Sequence, residues 1–301
     1  MIFKGSAVAL ITPFDDNGNI NFAKIGELVE FHIQNGTDAI VACGTTGEAS
    51  TLDDEEHLAV IKAVIDAVNK RVPVVAGTGG NDTRHSIELS QKAEKLGADA
   101  LLIITPYYNK ANKSGLRKHF VSIANSVNLP IILYNVPSRT GVNMQPALVA
   151  DLAKNVDNIV ALKEACGDLA QVAEVCRLVP DDFAVYSGND DSILPLLSVG
   201  GSGVISVLAN ICPRETHNLV SKFFEGDIEG SRKLQLEMKP LIDSLFIEVN
   251  PVPVKTAANL LGFNVGNLRL PLAEMQENNL KVLKEELINW GLNIQEATCT
   301  E

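Results

Sequence analysis

The run IVALKEACGDLAQVAEVCRLV, residues 159–179, contains the unit from which the chain is built. Its first part, Ile159–Lys163, is apolar without alternation until its last residue, which predicts a strand buried on both faces. Its last part, Leu169–Val179, carries apolar residues at helical spacing, so a helix follows the strand. Seven further Val- and Ile-rich runs read the same way: Ala7–Thr12, Ala39–Ala42, Val72–Gly77, Ala100–Thr105, Ile131–Asn135, Phe183–Ser187 and Val204–Ser206.

The segments between these runs are amphipathic and have recognisable ends. Ile25, Leu28, Val29 and Ile33 share one helical face, and Gly36 after Asn35 stops that helix. Asp53 and Glu56 form a capping-box pattern that opens a helix over Leu58–Val68. Thr83 opens another, which ends before Gly97, and Lys113–Ser126 and Gln145–Asn155 continue the rhythm. Eight strand–helix units predict an α/β fold, a (β/α)8 TIM barrel, which typically takes about 250 residues. An open doubly wound sheet would carry a Gly-rich fingerprint after its first strand, where this chain has TPFDDNG. Beyond Asn210 only helical segments follow: Pro213–Glu225, Asp227–Leu245, Pro251–Leu261 and Met275–Trp290. The expected division is a barrel over 1–225 and a C-terminal helical region over 226–301.

Composition narrows the function. The 301 residues carry 25 Lys+Arg against 37 Asp+Glu, a net charge of −12, which argues against nucleic acid and against an anionic membrane surface. Hydrophobic residues make up 46% and charged residues 21%, the mix of a globular chain with a large core. Cys43, Cys166, Cys176, Cys212 and Cys299 are scattered and never at C-x-x-C spacing, so a reducing cytoplasm is expected. The opening MIFKGSAVALITPFDD has too short an apolar run for a signal peptide, and no apolar stretch is long enough to span a membrane.

In such a barrel, residues at the carboxyl ends of the strands face the active site. Those ends hold Gly44–Glu48, Thr105–Asn109, Tyr134–Pro137, Lys163-Glu164 and Ser187–Asn189, with no cofactor motif beside them. Lys163 ends an apolar strand, where lost hydration lowers an ammonium pKa and frees a nucleophilic amine for Schiff-base chemistry. The plainer alternative is an ion pair with Glu164 or with a buried partner. Tyr134 can shuttle a proton, with Thr45 as relay, or it can be an aromatic at the core edge bonded to a backbone carbonyl. Thr45 can equally be an ordinary turn hydroxyl. The Gly44-Thr45-Thr46-Gly47 loop can hold a carboxylate through backbone N–H groups and Thr46. Arg139 can clamp a carboxylate with parallel hydrogen bonds, or be a solvated loop charge. Asp190-Asp191 reads as a helix cap rather than a metal pair, and no metal-ligand spacing occurs elsewhere.

Taken together, GTTGE at 44–48, TPYYN at 105–109, YNVPSRTG at 134–141, LKEA at 162–165, SGND at 187–190, GVISV at 203–207 and NPVPVK at 250–255 resemble the dihydrodipicolinate synthase family. The resemblance runs from the first strand to about residue 275. The family belongs to the pyruvate-dependent class I aldolases, alongside N-acetylneuraminate lyase. The resemblance implies condensation of pyruvate with L-aspartate 4-semialdehyde to 4-hydroxy-tetrahydrodipicolinate, in lysine and diaminopimelate biosynthesis, without a cofactor. It implies that Lys163 forms the Schiff base and that Tyr134, Thr45 and Tyr108 relay protons, with Tyr108 supplied by a neighbouring subunit. Thr46 would hold the pyruvate carboxylate, Arg139 the carboxylate of the semialdehyde, and Gly188 and Ile205 would give backbone contacts. A homotetramer of paired dimers is implied as well.

Two other readings compete with that one. The first is an aldolase cleaving a 2-keto-3-deoxy acid, which Arg139 disfavours because a sugar chain needs neutral donors. The second is a barrel that binds a small acid without catalysis. Lysine-sensitive members of the family bind the inhibitor near the positions of Ala49, Ser50, Asp54, His57, Asn81, His85 and Tyr107. There they carry Glu at the position of His85 and His at that of Asp54, so this chain is expected to respond weakly to L-lysine or not at all.

Overall fold

The computed structural model describes residues 1–295. Each apolar run forms one strand: β1 Gly5–Ala9, β2 Ala39–Ala42, β3 Val74–Gly77, β4 Ala100–Ile104, β5 Ile131–Asn135, β6 Ile159–Glu164, β7 Ala184–Ser187 and β8 Gly203–Ser206. They pair in parallel in chain order, and β1 closes on β8 through Gly5↔Gly203 to Val8↔Ser206. The fold is the (β/α)8 barrel expected from the alternation.

The helices of the barrel are α1 Phe22–Gln34, α2 Asp54–Val68, α3 Thr83–Leu96, α4 Lys113–Ala124, the short α5 Pro137–Thr140, α6 Pro146–Asn155, α7 Leu169–Leu178, α8 Ile193–Ser198 and α9 Pro213–Phe224. Beyond them lie α10 Ile228–Glu237, α11 Lys239–Ser244, α12 Val252–Leu260 and α13 Glu277–Asn289. The capping box is formed in full: Glu56 N–H donates to Asp53 Oδ1 at 2.8 Å, and Asp53 N–H donates to Glu56 Oε2 at 3.2 Å. It starts α2 at Asp54, one turn before the expected Leu58.

Several element ends differ from the sequence reading for identifiable reasons. The apolar run of β1 continues past Ala9, but the Ile11 N–H goes to the Asn210 side chain at 3.0 Å and the ladder ends. β3 starts at Val74 because Pro73 has no N–H to donate. The long helix expected over Asp227–Leu245 is two helices, α10 and α11. Pro240 in the first turn of α11 cannot donate to the preceding turn.

Alternation along the strands divides the core in two. Ala7, Ala9, Ala39, Val41, Val75, Ala100, Leu102, Ile132, Ala161, Ala184 and Ile205 point into the barrel, and their neighbours pack outward under the helices. The inner layer is rich in Ala, which leaves space inside the barrel for two larger side chains, Tyr134 and Lys163. At the amino end the barrel is plugged. Phe3 stacks on Tyr186 with ring centroids 4.2 Å apart, and the Tyr186 hydroxyl donates to the Phe3 carbonyl at 2.7 Å.

Among the described residues no helix is long and apolar enough to cross a membrane. Cys43, Cys166, Cys176 and Cys212 carry free thiols, and Cys299 lies outside the described residues.

Candidate active site

Strand parity sets the site. On β6, Ala161 and Lys163 point inward, while Leu162 and Glu164 point outward. Lys163 is buried, with 6% of its surface exposed, and its ordinary pKa is pushed down to about 8. Burial is the main cause; the negative charge of Asp190 opposes it and the positive charge of Arg139 adds to it. Among the described residues Lys163 makes no salt bridge, with Glu164 or with a buried acid, and the charge of Asp190 reaches it only at longer range. The Glu164 carboxylate lies on the outer face, where it accepts from Asn135 Nδ2 at 2.8 Å and from the Cys166 N–H at 2.9 Å.

Tyr134 is the register partner of Lys163 on β5, and Lys163 Nζ lies 4.5 Å from its ring centroid. The phenol is buried and its pKa is raised by that burial, so it remains a protonated donor near neutral pH. Arg139 and the Thr45 side chain both act on the phenol in the opposite direction to burial, and no backbone carbonyl among the described residues takes its hydroxyl.

Thr45 and Thr46 sit in the loop after β2. Gly47 lets that loop pack tightly, because a Cβ there would come within 2.9 Å of the Leu10 carbonyl oxygen. Thr46 is buried, and its Oγ1 accepts from Asn250 Nδ2 at 3.0 Å. That bond leaves the Thr46 hydroxyl hydrogen available to an acceptor in the site. The Asn250 carbonyl accepts from Arg139 Nη2 at 3.0 Å, so one residue ties the Thr46 loop to the Arg139 loop. Arg139 thus keeps one arm fixed and the rest of its guanidinium available.

Gly188 and Ile205 stand at the ends of β7 and β8. The Gly188 N–H is taken by the Glu164 carbonyl at 2.7 Å, and a Cβ at Gly188 would come within 3.2 Å of Lys163 Cε. Ile205 is fully buried in the inner layer. Asp190 corrects the sequence reading, because it caps no helix of its own. Its Oδ2 accepts the backbone N–H groups of Val207 and Leu208, both at 2.9 Å, after β8. Burial raises its pKa, and its Oδ1 is buried without a partner.

A cavity of about 400 Å³ opens at the barrel mouth. Thr45, Tyr134 and Arg139 line it together with Ala49, Ser50, Asp54, His57, His85 and Tyr107. Asn81 does not line it; its carbonyl accepts from Asn109 Nδ2 at 2.8 Å. His85 Nε2 and Asp54 Oδ1 pair at 2.8 Å, and His57 Nε2 donates to the Gly77 carbonyl at 2.7 Å. Tyr108 stands apart from this cavity. It is 91% exposed, with a left-handed φ of 71°. No cluster of metal-ligating side chains occurs among the described residues.

The sequence matches a known family over most of its length. The family described as the dihydrodipicolinate synthetase family matches residues 2–289. The chain belongs to that family. A 4-hydroxy-tetrahydrodipicolinate synthase of Clostridium perfringens strain SM101 is 58% identical over 291 residues, 97% of this chain and 99% of its relative. The crystal structure of dihydrodipicolinate synthase from Aquifex aeolicus superposes with a TM-score of 0.96 at 43% identity, covering 98% of this chain and all of the other. The DHDPS of Cyanidioschyzon merolae with lysine bound gives a TM-score of 0.94 at 40% identity, covering 97% and 99%.

Within the dihydrodipicolinate synthetase family motifs, sequence reasoning gave Asn250 no role and Asp190 the wrong one. Asn250 lies in the quoted NPVPVK, but nothing local shows that it reaches loops more than a hundred residues away. Asp190 precedes a short helix, a position where an acid usually serves as a cap.

Proposed function

We propose that this barrel condenses pyruvate with L-aspartate 4-semialdehyde, through a Schiff base on Lys163, to give 4-hydroxy-tetrahydrodipicolinate for lysine and diaminopimelate biosynthesis. The observation that carries the reading is Lys163, a buried amine with a pKa near 8 whose Nζ lies 4.5 Å from the ring centroid of the protonated Tyr134. The neutral amine adds to the pyruvate ketone, Tyr134 protonates the departing hydroxyl, and water leaves. Loss of a methyl proton gives an enamine, whose carbon attacks the aldehyde. The alkoxide takes a proton, and the substrate's own amine then displaces Lys163 and closes the ring.

The other residues follow from what each can donate. Thr46 and the neighbouring backbone hold the pyruvate carboxylate, supported by Asn250 at 3.0 Å. Arg139, braced on the Asn250 carbonyl, binds the carboxylate of the semialdehyde, which favours an acidic aldehyde over a sugar chain. Gly188 and Ile205 supply backbone around the substrate. Thr45 passes protons outward from Tyr134 to Tyr108 of the partner subunit. The exposure of Tyr107 and Tyr108, 38% and 91%, suits a residue shared across an interface, here within a homotetramer of paired dimers. A cytoplasmic location fits the free thiols.

The barrel over 1–225 carries the chemistry, and the region from 226 braces the mouth through Asn250. Ala49, Ser50, Asp54, His57, Asn81, His85 and Tyr107 correspond to the lysine-responsive surface of relatives. Here the acid lining the cavity, Asp54, has its Oδ1 engaged by His85, which leaves only the other oxygen to an incoming ammonium. Turnover of pyruvate with the semialdehyde, compared with cleavage of a 2-keto-3-deoxy acid, tests the assignment. Preference for the cleavage reaction would overturn it.

A further inference from the structure

The loop that carries Thr45 and Thr46 ends on Glu48, whose backbone is left-handed at φ 55° and ψ 32°. That conformation is uncommon for a residue with a side chain, and a buried network here holds it in place. The Glu48 carboxylate is buried and meets Lys255 of α12 at 2.6 Å, with the two side chains 0% and 1% exposed. Its other oxygen accepts the Arg269 N–H at 2.9 Å. Lys255 Nζ lies 4.0 Å from the Phe14 ring centroid, and the Arg269 guanidinium lies 4.3 Å from the same centroid. That guanidinium also donates to the Thr51 carbonyl at 2.9 Å and pairs with Glu56. From inside the barrel, the Thr12 hydroxyl donates to the Gly47 carbonyl at 2.7 Å.

The C-terminal region thus grips residues 46–56 at several points, and the buried ion pair is the central one. Such a pair is a poor device for stability, because a well-packed apolar replacement is often neutral or better. What it supplies is a fixed geometry. Two opposite charges sealed from water hold Glu48 in one conformation, and Glu48 is two residues from Thr46.

We infer that the Glu48–Lys255 pair is a positioning element for pyruvate binding, holding Thr46 and the adjacent backbone where a carboxylate can be received. The inference rests on the reading of Thr46 as the pyruvate-carboxylate site. Neither Glu48 nor Lys255 touches substrate. Both act through the loop.

The test uses the full-length enzyme and three variants. The double variant Glu48→Gln/Lys255→Met removes both charges together, so no lone charge stays buried. It should fold, with the KM for pyruvate raised about tenfold or more and the KM for the semialdehyde little changed. Glu48→Gln alone keeps one acceptor oxygen, for either Lys255 or the Arg269 N–H, and turns an amide donor towards the other. It should show the same split at about threefold or more, and it decides the matter if the double variant does not fold. Unchanged pyruvate KM in a folded double variant, or in Glu48→Gln if only that folds, overturns the inference. So does an equal loss for both substrates, which marks a merely structural pair. Thr46→Val run in parallel separates the two claims. If it is impaired for pyruvate while the charge variants are normal, the pair alone is at fault. If Thr46→Val binds pyruvate normally, the carboxylate reading falls, and the positioning role with it.

Discussion

Lys163 and Tyr134 are register partners on β6 and β5, and the lysine Nζ lies 4.5 Å from the tyrosine ring centroid. Parallel pairing puts both side chains on the inner face at the same height, and the Ala-rich layer below leaves them room. The amine and the phenol therefore meet without any loop having to place them. Burial acts on both in the direction the chemistry needs, lowering the amine pKa and raising that of the phenol.

Lys163→Met should abolish turnover and stabilise the fold. The folded pKa of Lys163, about 8, lies below the 10.5 of an ordinary lysine, so burying its charge costs stability. That cost, on the order of 3 kcal/mol, is fully present below pH 8 and is relieved as the pH rises towards 10.5. Thermal unfolding should show the variant more stable than wild type at pH 7, with the gap narrowing above pH 8. A less stable variant at pH 7 would contradict the burial account.

Asp190→Asn should shift the pH dependence of Schiff-base formation. The neutral fraction of Lys163 rises with a midpoint near pH 8, and the Asp190 charge holds that midpoint up. Removing the charge moves the midpoint to lower pH. Rates of adduct formation with pyruvate, measured from pH 6 to 10, provide the check, and an upward shift would remove Asp190 from the electrostatics of the site.

Tyr134→Phe should lower kcat by on the order of 10²-fold, the usual weight of a positioned acid–base group. The fold should persist, because no backbone carbonyl among the described residues depends on the hydroxyl. A near wild-type rate would mean that another group protonates the leaving hydroxyl.

L-lysine should inhibit weakly or not at all. Losing a free carboxylate partner for a desolvated ammonium typically costs about 2–5 kcal/mol, more than tenfold in affinity. An activity titration decides it. Half-inhibition well below a millimolar would show that the paired Asp54 and His85 still form a working site.

The barrel was legible in the sequence because its cause is local. Each strand is an apolar run and each helix an amphipathic period, so Ile159–Lys163 and Ile131–Asn135 could be read within a residue of their ends. Lys163 and Tyr134 were legible for the same reason, as polar groups ending such runs. What the local pattern misses is pairing at long range. Lys255 and Glu48 are 207 positions apart, and nothing near either shows that one charge seals the other. Asn250 reaches both Thr46 and Arg139 only because the chain after α11 returns to the barrel mouth. Asp190 misleads for a related reason, since its Oδ2 accepts from the loop after the next strand rather than from its own helix.

The central claim is the covalent role of Lys163, and borohydride reduction with pyruvate tests it most directly. Incubation of the folded enzyme with pyruvate and borohydride, followed by peptide mass analysis, should place a stable adduct on the peptide containing Lys163. No adduct should form on Lys163→Met. A folded wild-type enzyme that gains no mass, or gains it at a lysine other than Lys163, would contradict the account.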